Sequence, residues 1–170
     1  PPYLLVGHSL GGLYIRGFAT YYPDYLAGLV IIDPADFTET QLNRRDYYEI
    51  LNWEESEVDS LITSFITKRK ISRAKAPESI QREGEVLEML RENEFKEIGS
   101  RPLPNVPVHI LTGGRYDVPV KFQSKEYDDE ALFRSKMRHR VNRWTEVIQS
   151  VDKGMLFYSG DAGHFVHIDD

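Results

Sequence analysis

The stretch from Tyr3 to Tyr21 constrains the fold more than any other. Tyr3-Leu4-Leu5-Val6 is an unbroken apolar run, the pattern of a strand buried on both faces of a parallel sheet. Gly7-His8-Ser9-Leu10-Gly11-Gly12 follows, and Leu10, Leu13, Tyr14, Gly17, Phe18 and Tyr21 then recur at three- and four-residue steps until Pro23, the spacing of one helix face. A strand that passes into a helix through Gly-x-Ser-x-Gly puts the serine on a sharp turn and lifts its hydroxyl clear of the sheet, a position suited to a nucleophile. Small residues at 7 and 11 are expected because the strand and helix backbones nearly touch there. The alternative is a plain glycine-rich turn; the strand before it, the helix after it and the third glycine at 12 favour the nucleophile.

The remaining chain supplies partners for that strand. Leu29-Val30-Ile31-Ile32, closed by Asp33-Pro34, reads as a second buried strand, which completes a βαβ unit, right-handed by default. From 35 to 101 apolar strands disappear and charge rises; residues 39–52, 54–70 and 77–97 have helical patterns, with Pro77 suited to a first turn. Pro102, Pro104 and Pro107 mark an extended return. Residues 106–112 form a third strand leading to Gly113-Gly114-Arg115-Tyr116-Asp117, 128–151 a long helix, and 155–158 a fourth strand leading to Gly160-Asp161-Ala162-Gly163-His164. On the long helix Arg134, Lys136, Arg138, Arg140 and Arg143 read as a solvated face. The expected organisation is one α/β core, 1–34 and 102–170, interrupted by a helical insertion at 35–101. With 170 residues, 41% of them hydrophobic, a single domain-sized core is within reach.

A serine hydroxyl needs a base, and the base an orienting acid. In open parallel sheets such groups converge at the carboxyl ends of the strands. Asp117 after the third strand and His164 after the fourth meet that requirement, and the N–H of Leu10, at the positive end of the first helix, is placed to stabilise an oxyanion. Asp33 also ends a strand and is the alternative acid; otherwise Asp33-Pro34 is a turn. His8 is read as a packing residue or a support for the site, His167 as structural and Asp161 as a loop former. His109 and His139 are given no function. His164 and His167 lack the third ligand of a metal site, and no Gly-Lys-Ser/Thr follows Gly113-Gly114, so no phosphate loop is expected. The absence of cysteine excludes disulfides, thiolate metal sites and cysteine nucleophiles. A net charge of -6 argues against nucleic acid as a partner. The apolar stretch 26–32 falls far short of the ~20 residues of a membrane span, and the first residues lack the basic start of a signal peptide. The apolar strand pattern at the very start leads one to expect that the chain begins in mid-fold, as a part of a longer one would.

Gly7-His8-Ser9-Leu10-Gly11-Gly12, Leu29-Val30-Ile31-Ile32-Asp33-Pro34, Gly114-Arg115-Tyr116-Asp117 and Gly163-His164-Phe165-Val166-His167 together resemble the α/β-hydrolase superfamily, over the whole chain except the insertion. The resemblance implies the C-terminal half of that fold: a mostly parallel sheet with flanking helices and an inserted helical cap at 35–101. It implies a cofactor-free serine hydrolase of esterase type acting on a small-molecule acyl substrate, with Ser9 as nucleophile, Asp117 as acid and His164 as base. In some relatives the acid stands where Asp33 does. A serine at 9 argues against the dehalogenase and epoxide hydrolase branches, which use aspartate there. The same triad also serves carbon–carbon bond hydrolysis and cyanohydrin cleavage, and the fold also occurs as a ligand-binding protein. The four strands would be the fifth to eighth of eight. The first four, with the loop that gives the second oxyanion donor, would be missing, so this stretch alone is expected to expose the edge at Tyr3–Val6 and to be nearly inactive. The cap is expected to set substrate choice. Its apolar residues Leu51, Trp53, Leu61, Ile62, Phe65, Leu87 and Leu90 are available to cover a pocket or to pack the cap's own core. Oligomeric state and compartment are not fixed by the sequence.

Overall fold

The computed structural model describes residues 2–99 and 101–169. Four strands, β1 (Tyr3–His8), β2 (Leu26–Ile32), β3 (Val108–Gly113) and β4 (Gly154–Ser159), lie side by side in chain order, and every pairing is parallel. This is the α/β architecture expected. Because the strands are parallel, the residues that follow them, Ser9, Asp33, Gly114 and Gly160, all emerge along one edge of the sheet, where sites in such sheets form.

The helix α1 (Leu10–Tyr21) connects β1 to β2. The helix α5 (Asp129–Gln149) connects β3 to β4 and begins on Asp128, whose carboxylate accepts the Ala131 N–H at 3.0 Å, a side-chain N-cap. Both helices cover the same face of the sheet. Ala19 from α1 and Trp144 from α5 join Leu29, Ile31, Val108 and Ile110 in one buried cluster. On the opposite face of β1, Leu4 and Val6 are 64% and 59% exposed. The unbroken apolar run of β1 therefore alternates, Leu5 packed against the core and its neighbours outward, and the expected burial on both faces does not occur within the described residues. Among the described residues the second face is covered near the carboxyl edge. There Ala162 and Val166, at the start of the short helix α6 (Val166–Asp169), pack on Ile32 with Val30 and Leu111.

The insertion holds α2 (Glu55–Arg73), α3 (Glu78–Glu92) and α4 (Lys96–Gly99). A reciprocal capping box opens α2: Glu54 accepts from the third residue of the helix, and Glu57 accepts the Glu54 N–H at 2.9 Å. Pro77 occupies the cap position ahead of α3 rather than its first turn. Two expectations shrink. Residues 39–52 form only a 3₁₀ segment, Asp46–Leu51, within which Tyr47 and Tyr48 are both buried. The helix expected to run to 97 stops at Glu92, where Glu94 and Phe95 take left-handed backbone (φ 52° and 55°) and turn Phe95 into a buried cluster with Leu13 and Leu90. Through that cluster, and through Tyr47, Tyr48 and Val58 against Leu132 of α5, the insertion is fastened to the core.

Candidate active site

Ser9 lies between the last residue of β1 and the first of α1, with φ 55° and ψ -120°. That backbone is costly for a residue with a side chain, by roughly 1–3 kcal/mol, and it is enforced from both directions. The Ser9 N–H donates to the Ile32 carbonyl at 2.9 Å. Its own carbonyl accepts from Gly12 at 3.1 Å and Ala35 at 3.3 Å. A Cβ on Gly7 would run into the carbonyl of Gly11, so the close approach expected of the turn is present there. Gly11 itself faces open space, and the second tight position is Gly12, against Pro34. Leu10 is the first residue of α1, so its N–H has no carbonyl four residues back.

The aspartate beside His164 is the alternative one, Asp33, and not Asp117. His164 Nδ1 lies 2.6 Å from Asp33 Oδ2, whereas Asp117 is 81% exposed at its side chain and has only Arg115 near it, at 4.0 Å. The reason lies in where the loop after β4 goes. Arg115 donates to the Asp161 carbonyl at 3.0 Å and pairs with Asp169 at 3.1 Å, and its N–H donates to Ala162 at 2.9 Å. This ties the β3 and β4 loops together and leaves Asp117 beyond them in solvent. With Ala162 and Val166 seated on Ile32, His164 is returned to the end of β2, where Asp33 waits. Asp161 contributes its carbonyl to this loop, as a loop former.

Asp33 is 7% exposed and well provided with donors. Thr112 Oγ1 donates to Oδ1 at 2.8 Å and Arg140 Nη1 lies 3.4 Å from the same oxygen. A carboxylate only accepts, so the shared proton sits on His164 Nδ1 and Nε2 is left as the basic nitrogen. His8 supports the arrangement: its Nε2–H donates to the His164 carbonyl at 2.8 Å, and the two rings lie 4.6 Å apart. His167 stands 5.0 Å from the His8 ring. Among the described residues no hydrogen bond joins Ser9 to His164; contacts of this kind commonly tighten only with substrate in place.

Sequence reasoning missed Thr112 and Arg140. It took the five basic residues of α5 as one solvated face, but three of them point inward. Arg140 reaches Asp33 and the Pro34 carbonyl, Arg143 pairs with Asp36 at 2.6 Å, and Lys136 lies over the rings of Tyr47, Tyr48 and Phe65. At 100° per residue, positions 134, 136, 138, 140 and 143 cannot share a face, and that spacing was the available signal.

A cavity of about 420 Å³ opens beside the serine, lined by Ser9, Leu10 and Ala35 from the core and by residues of α2 and α3, among them Arg69, Arg73, Ile80 and Leu87. Of the seven apolar insertion residues singled out above, Leu87 alone reaches this cavity. Leu51, Trp53, Leu61, Ile62 and Phe65 pack around the two buried tyrosines, and Leu90 is buried against Leu13 and Phe95. Among the described residues no three carboxylates or histidines gather as a metal site, and no helix is long and apolar enough to cross a membrane.

No family model matches the chain, and no curated protein matches it. It is similar to solved structures of hydrolytic enzymes. A probable hydrolytic enzyme from Pseudomonas aeruginosa is 15% identical, with 99% of this chain on 59% of that one at a TM-score of 0.44. A monoacylglycerol lipase from Paleococcus ferrophilus is 18% identical, with 99% on 62% and a TM-score of 0.44. A thermophilic esterase from Thermogutta terrifontis is 19% identical, with 99% on 60% and a TM-score of 0.39. The chain thus spans about three-fifths of the length of these structures. Likeness at this level decides neither reaction nor substrate, which have to come from the site itself.

Proposed function

We propose that this chain carries the catalytic residues of a serine hydrolase that cleaves carboxylic esters through an acyl-enzyme. The observation that carries the reading is the meeting, at one sheet edge, of a serine forced into left-handed backbone with a histidine whose Nδ1 is 2.6 Å from a buried aspartate. In this reading Ser9 Oγ attacks the ester carbonyl, His164 Nε2 takes its proton and returns it to the leaving alkoxide, and water then releases the acid by the same route. Asp33 fixes the imidazole tautomer and stabilises the imidazolium. Thr112 and Arg140 position that carboxylate. The Leu10 N–H faces the developing oxyanion.

Fluorophosphonate labelling and a substrate panel test the proposal. Covalent modification should fall on Ser9, and turnover should favour esters over amides and over carbon–carbon substrates. Modification elsewhere, or none in the complete protein, would dispose of it; preference for a carbon–carbon substrate would keep the triad and change the reaction.

In the same reading the acyl chain lies in the cavity beside Ser9, whose apolar wall includes Ile80 and Leu87 of α3. Ile80 is half exposed and tolerates change. Ile80→Trp should lower kcat/KM for long acyl chains relative to acetate by about tenfold, the scale of one or two methylene groups in such a pocket. An unaltered acyl-length profile would remove the insertion from specificity.

A further inference from the structure

A second cavity, of about 360 Å³, lies inside the insertion and against α5. It is lined by Arg44, Arg69, Arg91 and Lys136 with a single carboxylate, Glu39. The available negative charge is already engaged. Glu39 is held by Arg44 at 2.8 Å and by the Tyr47 hydroxyl at 3.2 Å. Just outside, Glu88 accepts from three arginines, Arg69 at 3.2 Å, Arg73 at 3.0 Å and Arg91 at 3.0 Å. Five cations therefore share two carboxylates in a protein whose net charge is -6.

Lys136 is the clearest case. Its ammonium lies 5.4, 5.2 and 5.1 Å from the ring centres of Tyr47, Tyr48 and Phe65. Among the described residues it has no ion-pair partner. Cation–π contact offsets part of the desolvation of an ammonium but does not neutralise it. Burial pulls Lys136 below the ordinary lysine range, with Arg69 and Arg44 acting in the same direction and Glu39 and Asp129 against it. Arg91 is lowered by burial and by Arg69. The Tyr48 hydroxyl is pushed up to about 12 by burial and by Glu39, so it stays protonated and able to donate. A partly enclosed space with excess positive charge, guanidinium forks and a phenol donor is complementary to one kind of occupant.

We propose that this cavity binds a small oxyanion carrying at least two negative charges, of the phosphate kind. The anion would sit among Lys136, Arg44 and Arg91. Arg69, which lines this cavity and also the one beside Ser9, would separate it from the serine. The site stands whether or not Ser9 is a nucleophile.

The test is a titration of the full protein with inorganic phosphate at constant ionic strength, read by phosphorus NMR line width and by thermal melting. Saturable broadening and a rise in Tm are expected. Lys136→Met should weaken binding at least about tenfold, since a hydrogen bond to a charged group is lost. Lys136→Arg should retain it, and so should Arg138→Met, an exposed change on the same helix. Without phosphate, Lys136→Met should melt no lower than the parent, because a buried like charge is gone, and the parent should overtake it as phosphate is added. Should Lys136→Met fail to fold, Arg44→Gln makes the same comparison from another residue lining the cavity. A phosphate monoester such as phenyl phosphate then distinguishes an organic ligand, which would bind more tightly through the aromatic wall, from the free ion. Binding unchanged in Lys136→Met, or a melting shift reproduced by chloride at the same ionic strength, would overturn the proposal.

Discussion

Ser9→Ala is expected to lower kcat for ester hydrolysis by on the order of 10⁶ and to abolish fluorophosphonate labelling, while leaving circular dichroism unchanged. The size follows from what the hydroxyl does. In the proposed mechanism no acyl-enzyme forms without it, and oxyanion stabilisation and binding alone would support only the residual rate known from triads stripped of their nucleophile. A second substitution separates chemistry from folding. Ser9 holds φ 55° and ψ -120°, a conformation that alanine finds as uncomfortable as serine does and that glycine adopts freely. Ser9→Gly should therefore be equally inactive yet more stable than Ser9→Ala by about 1 kcal/mol. The paired melts measure the strain stored at Ser9. Retention of labelling in either variant, or a glycine variant that melts below the alanine one, would contradict the assignment or its strain account respectively.

What could be read from the chain followed from local physics. The tight strand-to-helix turn at Ser9 was legible because a strand pattern, a close-approach glycine and a helix pattern fall within 21 residues, and the turn between them has few conformations open to it. The four strands, α1 and α5 followed from unbroken or periodic apolar runs. What could not be read depends on long-range packing. Asp33 and Asp117 both follow strands, and nothing local to either records which of them the loop after β4 reaches. That choice is made by Ala162 and Val166 seating on Ile32 and by Arg115 drawing together the two loops. Likewise Leu4 and Val6 carry no mark that distinguishes a covered sheet face from an open one. The inward arginines of α5 were legible in principle from helical geometry, since their spacing forbids a single face. Their partners, Asp33 and Asp36, lie more than a hundred residues away in the chain.

The second large effect is expected at Asp33. Asp33→Asn should lower kcat by about 10⁴, the cost of the wrong imidazole tautomer in such triads. An asparagine at 33 can turn its amide N–H toward His164 Nδ1, which then accepts; the proton moves to Nε2, and the nitrogen that must take the serine proton is blocked. The same change removes the negative charge opposite Arg140, whose side chain is mostly buried with Nη1 3.4 Å from the carboxylate. The variant should therefore also melt lower, by an amount on the order of 3 kcal/mol, the scale for a buried charge left without its partner. Thr112→Val separates the two consequences. It removes the 2.8 Å donor to Oδ1 while keeping the tautomer, so activity should fall far less than in Asp33→Asn. Asp117→Asn alters an exposed carboxylate whose nearest cation is 4.0 Å away and should change kcat by less than about threefold, as surface substitutions do. Kinetics and melting of the three variants decide the matter: a crippled Asp117→Asn beside an active Asp33→Asn would restore the acid that the sequence favoured. If instead Asp33→Asn loses stability without losing the expected activity, the 2.6 Å contact with His164 is a structural ion pair rather than part of a triad.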